Sequence, residues 1–435
     1  MVFPLTAAIM RISRHPQNLC VLLWCLPLLL ILSSCAFMEL KKDIEEYSKV
    51  VTIKGRVIDE AGDNIPVVVA LLAVDEPARP KLVSYQEMER AGQFFFKVQP
   101  GSYRIFAFEN HNRDKKYRVE DRTGRSGPID ARKPGSVIEL LVKIPLKVDS
   151  LLVNRIQEIR TGLEKNIPPY IRYIGTVIDL SDPAFEAKNV KMGLWEPYRF
   201  TKEIPMGIFF LQDYHADKIP VLFVHGISGS PVNFKEIIAA IDTDHFQPWV
   251  FYYPSGFRLE LIAHYLDLVL DTLCYRYQFK RIALVAHSMG GLISRAFINR
   301  ERENVRSYSI NPFISISTPW AGHAAARLGV EYAPAVVPAW NDLAPGSLFL
   351  QKLFYKKLPQ NMRYCLLFSF KGHSRFADGN SDGVVSIASE LRPEAQEEAD
   401  LMRGFNETHM GILRDAGVSE FINRELQTMA KGCKK

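Results

Sequence analysis

The chain has 435 residues, 47% of them hydrophobic and 23% charged, with a formal net charge of +6. That length exceeds what one hydrophobic core usually organises, so two domains are expected, and the composition excludes a disordered chain and a polytopic membrane protein. Lysine and arginine nowhere cluster with interleaved aromatics, which argues against nucleic acid as a partner.

The N-terminus carries a targeting pattern. Arg11, Arg14 and His15 precede an apolar run from Leu19 to Leu32. The run is shorter than the ~20 residues of a spanning helix and suits a signal-peptide core. It ends in Leu32-Ser33-Ser34-Cys35, which resembles a bacterial lipobox. The resemblance implies cleavage before Cys35, diacylglycerol on its sulfur and a chain held at the cell envelope. Ala36, in place of an aspartate, implies passage to an outer membrane where one exists. A short anchor with a chance cysteine is the alternative. Residues 1–34 are therefore expected to be a signal peptide and 35–49 a tether. Cys20 and Cys25 would leave with the signal; Cys274, Cys365 and Cys433 are an odd, widely spaced set that offers no disulfide framework. Cys274 and Cys365 lie in apolar runs and are expected to be buried as small hydrophobes.

Residues 50–148 read as short strands between turns. Val51 to Val57 alternates apolar and polar, and Pro66 to Leu72, Gly92 to Val98, Tyr103 to Phe108 and Val137 to Ile144 continue the series. Turn residues stand at Ala61-Gly62-Asp63-Asn64, Gln99-Pro100-Gly101 and Pro134-Gly135, so a small all-β sandwich is expected. Gly92-Gln93-Phe94 and Pro100-Gly101-Ser102-Tyr103 resemble the pattern of carboxypeptidase-regulatory or transthyretin-like modules. Asn110, Asn112 and Asp114 have calcium-loop spacing, but Lys115 and Lys116 crowd it and an ordinary surface loop is expected.

From about Asp149 the period changes. Ser150 to Lys165 has helical spacing, and 149–205 reads as a linker with the first elements of a second domain, 206–435. There, apolar strands (Ile219 to Val224, Trp249 to Tyr253, Arg281 to Ala286, Phe313 to Ser317, Met362 to Phe370) alternate with amphipathic helices (Phe234 to Ile241, Leu259 to Tyr277, Leu292 to Asn299). This is the signature of an α/β fold with a mostly parallel sheet flanked by helices.

Chemistry concentrates at Ala286-His287-Ser288-Met289-Gly290-Gly291. An apolar strand, a serine between small residues and a helix form the context of a nucleophile elbow. Ala286 stands where glycine is usual, and it is small enough to keep the packing. Serine needs a base oriented by an acid, which in this fold follow in the order acid, then histidine. Asp382, in Asp382-Gly383-Val384-Val385, is the expected acid and Asp378 its competitor; His409 is the expected base, with His373 out of order. Backbone N–H groups of Met289 and of Ile227, in His225-Gly226-Ile227-Ser228-Gly229, are the expected oxyanion donors, and His225 is read as loop scaffolding.

Together these loops resemble small secreted bacterial lipases of the α/β-hydrolase superfamily, from Ile204 to Ile422. Ser317-Thr318-Pro319-Trp320 is also similar to GPI inositol-deacylase relatives. The resemblance implies hydrolysis of carboxylic esters of apolar or lipid acyl groups, with no cofactor and no metal. Residues 322–361 are an apolar insertion, read either as a lid or acyl pocket or as a plain packing segment, and Asp342 is assigned to a turn of that segment. Acyl transfer by the same triad and a non-catalytic surface adaptor are the competing readings. The β-domain is free to bind a protein or glycan partner.

Overall fold

The computed structural model describes residues 35–74, 80–113, 117–118, 120–146, 172–300, 306–373 and 379–431. The expected helix at Ser150 to Lys165, Asp114, Asp378, Cys433 and the lipobox residues before Cys35 lie outside them. Among the described residues no helix is long and apolar enough to cross a membrane.

Residues 35–48, expected as a tether, form a packed helix, α1. Ala36, Leu40 and Asp43 are buried at i, i+4 and i+7, the spacing that turns one helical face inward. Phe37 packs edge-on to Trp195 at 5.2 Å, and Tyr47 lies against Phe257 at 5.0 Å.

Eight strands follow: β1 (Val51–Asp59), β2 (Val67–Ala73), β3 (Lys81–Met88), β4 (Gln93–Val98), β5 (Ser102–Glu109), β6 (Thr123–Arg125), β7 (Ile129–Asp130) and β8 (Val137–Ile144). They form two sheets, β4-β1-β8 and β3-β2-β5-β6, with β7 beside β5. β3, β6 and β7 add to the strands expected. Every residue of β2 from Val67 to Leu72 is buried, and the pleat divides them. Val67, Val69 and Leu71 meet Val51, Ile53, Phe94 and Phe96 inside the sandwich. Val68, Ala70 and Leu72 face the other way and join an apolar cluster shared with the second domain. One strand thus serves two cores.

The second domain opens with helices α2 (Ala187–Trp195) and α3 (Pro197–Glu203). Its sheet comprises β9 (Gly207–Phe210), β10 (Ile219–Val224), β11 (Phe246–Tyr252), β12 (Arg281–His287), β13 (Ser309–Ile316), β14 (Tyr364–Ser369) and β15 (Leu401–Phe405). Their order is β15-β14-β13-β12-β10-β11-β9. Every neighbouring pair is parallel except β11 with β9. The helices between and after them are α4 (Lys235–Ala239), α5 (Leu259–Tyr277), α6 (Met289–Asn299), α7 (Ala324–Tyr332), α8 (Pro338–Leu343), α9 (Leu348–Lys352), α10 (Ile387–Glu390), α11 (Pro393–Glu398) and α12 (Ala416–Lys431). α4 starts one residue later than expected, after a 3-10 turn, Pro231–Phe234, and α6 three residues earlier, at Met289. Another 3-10 turn, Gly411–Arg414, precedes α12, whose first turn is tied by Asp415 Oδ1 accepting from Val418 N–H at 3.0 Å.

The two domains meet through α5. Arg276 donates to buried Glu87 of β3 at 2.8 Å and to the Ile174 carbonyl at 3.0 Å. The insertion at 322–361 is bolted down rather than loose. Buried Arg295 of α6 holds Glu398 bidentately at 2.7 and 2.9 Å, donates to the Leu353 carbonyl and lies over Phe354. The Asp342 carbonyl accepts from Ser347 Oγ at 2.6 Å in the segment's own turn, as expected, but its side chain reaches elsewhere. It accepts from Leu259 N–H at 2.7 Å and from Arg258 Nε at 2.9 Å, capping α5 from α8. A free helix N-terminus needs acceptors, and a carboxylate supplies them at any sequence distance.

Asp43 plays the same part for α3, accepting from Tyr198 N–H at 2.9 Å and Arg199 N–H at 2.8 Å. Asp43→Ala is expected to lower the unfolding free energy by about 1–2 kcal/mol, as loss of an N-terminal cap does. Urea unfolding checks this; an unchanged midpoint would mean that α1 contributes no such cap.

Candidate active site

The strand order reverses between β10 and β12: β11 lies on one side of β10, and the chain then returns to place β12 on the other. In an open parallel sheet such a reversal leaves a crevice at the C-terminal strand ends. Val224 of β10 pairs with Ala286 of β12, so the loops that start at His225 and at Ser288 emerge side by side.

Ser288 has φ 54° and ψ −128°, a left-handed backbone that a non-glycine residue adopts only where its surroundings enforce it. Its N–H donates to the Ile316 carbonyl at 2.8 Å. The loop opposite leaves no room for error. A Cβ on Gly226 would sit 2.8 Å from Ser288 Cβ and 3.3 Å from Oγ. One on Gly290 would sit 2.3 Å from the Val224 carbonyl oxygen. Ile227 follows Gly226 directly and Met289 is the first residue of α6, whose leading N–H groups have no intrahelical acceptor. Among the described residues neither of these two N–H groups donates to the chain.

The loop at 225–230 is held from outside. Tyr253 stacks on the His225 ring at 4.1 Å and its hydroxyl donates to the His225 carbonyl. Ser255 Oγ accepts from Ser228 N–H at 3.1 Å. His225 is buried and its Nδ1–H donates to the Gly226 carbonyl at 2.8 Å; burial lowers its pKa to about 4.

Asp382 and His409 are both buried. His409 Nδ1 meets Asp382 Oδ2 at 2.5 Å, and since a carboxylate only accepts, Nδ1 carries the hydrogen and Nε2 is left basic. The other oxygen, Oδ1, accepts from Val384 and Val385 N–H at 2.8 and 2.7 Å. Burial raises the Asp382 pKa, but the His409 bond, its charge and the two N–H groups outweigh it and hold the carboxyl below its usual value. His373 is exposed and pairs through its backbone with Asn380 instead. Cys35 is exposed on α1 and takes no part in this constellation.

Sequence reasoning missed the groups that support these residues. His287, next to the serine, lies 4.6 Å ring to ring from His409, and its Nε2–H donates to the His409 carbonyl at 2.9 Å. Ser369 Oγ donates to Asp382 Oδ2 at 3.0 Å and lies 2.6 Å from Ser317 Oγ. Glu390 is buried beside them and accepts from Ser369 N–H at 3.2 Å. Burial first, and the Asp382 charge second, drive its pKa well above the usual carboxylate range. It is therefore a neutral acid beside an ionised one. His323 links the insertion to the acid loop: Nδ1 accepts from Ala325 N–H at 3.2 Å, so Nε2–H donates to the Val384 carbonyl at 2.7 Å. These partners lie far apart in the chain, and the one cue present was Ser317 at the end of an apolar strand.

Sheet order, elbow and loop positions are those of an α/β-hydrolase fold, preceded by an all-β domain. Residues 215–341 match the family described as the PGAP1-like alpha/beta domain. The match includes the loop at His225 and the elbow but ends before Asp382 and His409. No curated protein sequence matches the chain. Among solved structures, the mature lipase BlEst2 of Bacillus licheniformis is 18% identical, with TM-score 0.39, covering 49% of this chain and 94% of that one. Phospholipase PlaB of Legionella pneumophila, in complex with thio-NAD, is 19% identical with TM-score 0.39, covering 48% and 58%. Lipase B of Aspergillus fumigatus is 14% identical with TM-score 0.36, covering 51% and 56%.

Burial also lowers the His287 pKa to about 3. Both rings are neutral in the folded chain and titrate near 6.5 when unfolded, so below about pH 6.5 the unfolded chain binds more protons. Stability therefore falls as pH drops from there toward 4, by about 1.4 kcal/mol per pH unit for each ring. Replacing His225 by Asn is expected to remove about half of this pair's acid loss, read from urea midpoints at neutral and mildly acidic pH. An identical acid dependence in the variant would contradict the assignment.

Proposed function

We propose that the chain is a serine hydrolase that cleaves carboxylic esters through an acyl-enzyme, with Ser288 as nucleophile, His409 as base and Asp382 as its orienting acid. The observation that carries this reading is the short His409–Asp382 bond, with Asp382 fixed by two backbone N–H groups and His409 tied through His287 to the elbow of Ser288. Ser288 Oγ attacks the ester carbonyl and His409 Nε2 takes its proton. The oxyanion meets the N–H groups of Ile227 and Met289. Collapse expels the alcohol with that proton, and water repeats the sequence to release the acid. No step calls for a metal or organic cofactor.

An apolar or lipid acyl group suits the surroundings of the site. Val384 and Met410, adjoining the acid and the base in sequence, are exposed. Exposed large apolar side chains around a site favour an apolar partner. The Cys35 thiol is exposed at the start of α1, which suits acylation there and attachment to a membrane.

A fluorophosphonate probe is expected to label the wild type and not Ser288→Ala, whose kcat/KM on para-nitrophenyl esters falls by on the order of 10⁵-fold or more. Gly226→Ala, which must push the serine aside, is expected to lose on the order of 10²-fold while remaining folded. A wild type that neither labels nor turns over esters of any chain length would overturn the reading. Cys35→Ser is expected to lose metabolic palmitate labelling; retained labelling would refute acylation at that thiol.

A further inference from the structure

A cavity of about 470 Å³ lies between the two domains and does not include Ser288, Asp382 or His409 in its lining. Its walls come from Tyr47 of α1, Tyr85 of β3, Phe95 of β4, Tyr198 of α3, Leu261 of α5 and the loop at Phe257. Aromatic and aliphatic side chains dominate them, which disfavours a sugar or nucleotide and favours a hydrocarbon. At ~30 Å³ for a water-sized group the volume holds roughly fifteen such groups, one long acyl chain rather than two.

One charge is out of place in this lining. Lys97, half-buried on β4, donates to Thr52 Oγ1 at 2.8 Å and sits 5.3 and 5.6 Å from the Tyr47 and Phe95 rings. All three partners are neutral, and among the described residues no carboxylate pairs with it. The other lining lysine, Lys202, already pairs with Glu46 at 3.1 Å. An ammonium partly withdrawn from water with no counter-charge is costly, and an anion delivered into the cavity offsets that cost. Burial accordingly pulls the Lys97 pKa down.

We propose that this cavity binds a single-chain amphiphile with an anionic carboxylate, a long-chain fatty acid, its head on Lys97 and its chain along the aromatic wall. The site is independent of the serine chemistry, since no lining residue belongs to that constellation. It nevertheless touches the active-site scaffold at one place. Tyr253, a lining residue, stacks on His225 and donates to its carbonyl.

The test is photocrosslinking of the full chain in its membrane fraction with diazirine-bearing palmitate, read by peptide mass spectrometry. Labelling is expected on 81–98 and 253–268, unchanged in Ser288→Ala. Unlabelled palmitate should compete at about tenfold lower concentration than hexadecanol, the difference an added charge-assisted hydrogen bond makes. Lys97→Met should abolish that preference and Lys97→Arg restore it, which separates loss of the charge from misfolding. Labelling confined to peptides around Ser288, or a palmitate preference that survives Lys97→Met, would overturn the proposal. So would phosphatidylglycerol vesicles competing as well as palmitate, because the occupant would then be a two-chain membrane lipid. Failure of Ser288 to label with a fluorophosphonate leaves these outcomes untouched.

Discussion

Two backbones approach at the C-terminal ends of β10 and β12 as closely as they do because three positions carry almost no side chain. Gly226, Ala286 and Gly290 stand at the contact, and a Cβ on either glycine would enter the other loop or strand. Ser288 is forced into its positive-φ conformation by the same crowding, with Ile316 taking its N–H from the neighbouring strand. Sheet order puts the loops together; the small residues let them touch. Everything else in the constellation is arranged around that contact. His287 reaches His409, and Tyr253 and Ser255 hold the loop at 225–230 from the far side.

Burying so many polar groups at one sheet edge is tolerable because their titrations keep like charges apart. His287 stays neutral, Asp382 stays ionised, and Glu390 takes up a proton rather than place a second negative charge next to it. A single carboxylate is then shared by four donors: the His409 ring, the Ser369 hydroxyl and the backbone N–H groups of Val384 and Val385. An isolated buried carboxylate would protonate instead; here hydrogen bonding to the charged form prevails over desolvation. The neutral Glu390 adds no competing charge, so His409 has one partner to orient it and not two.

Much of this was legible in the sequence because the signals were local. The run Arg281 to Gly291 contains strand, turn and helix in one stretch, and α5 was readable to the residue from its apolar period. What was not legible depended on distance. α1 has helical spacing at 36, 40 and 43, but its burial exists only because Trp195 and Phe257 are brought to it from far along the chain. β2 gives a continuous apolar run, which a strand buried on both faces and a short core helix share, and only the assembled sandwich shows that its alternate residues go to different cores. Asp342 looked like a turn residue because aspartate before proline and glycine usually is one, yet tertiary structure sent its side chain to the open N-terminus of α5. His287 was visible only as part of the elbow, not as a partner of His409, and Glu390 had no pattern at all. Their roles come from which strands become neighbours, and a linear sequence states that only indirectly.

The junction between the domains follows from the same division of β2. A sheet with one face in its own sandwich and the other against α5 cannot be lifted away without exposing Val68, Ala70, Leu72, Phe106 and Phe108 to water. Arg276 on Glu87 adds a buried charge pair that breaks at high cost if one partner is lost. The all-β domain is therefore less an appended module than one wall of the second domain. The cavity between them is bounded by β3 and β4, by α1 and by α5. Among the described residues Lys97, in that perimeter, meets only neutral groups, in contrast to Arg276 and Lys202, each of which faces a carboxylate.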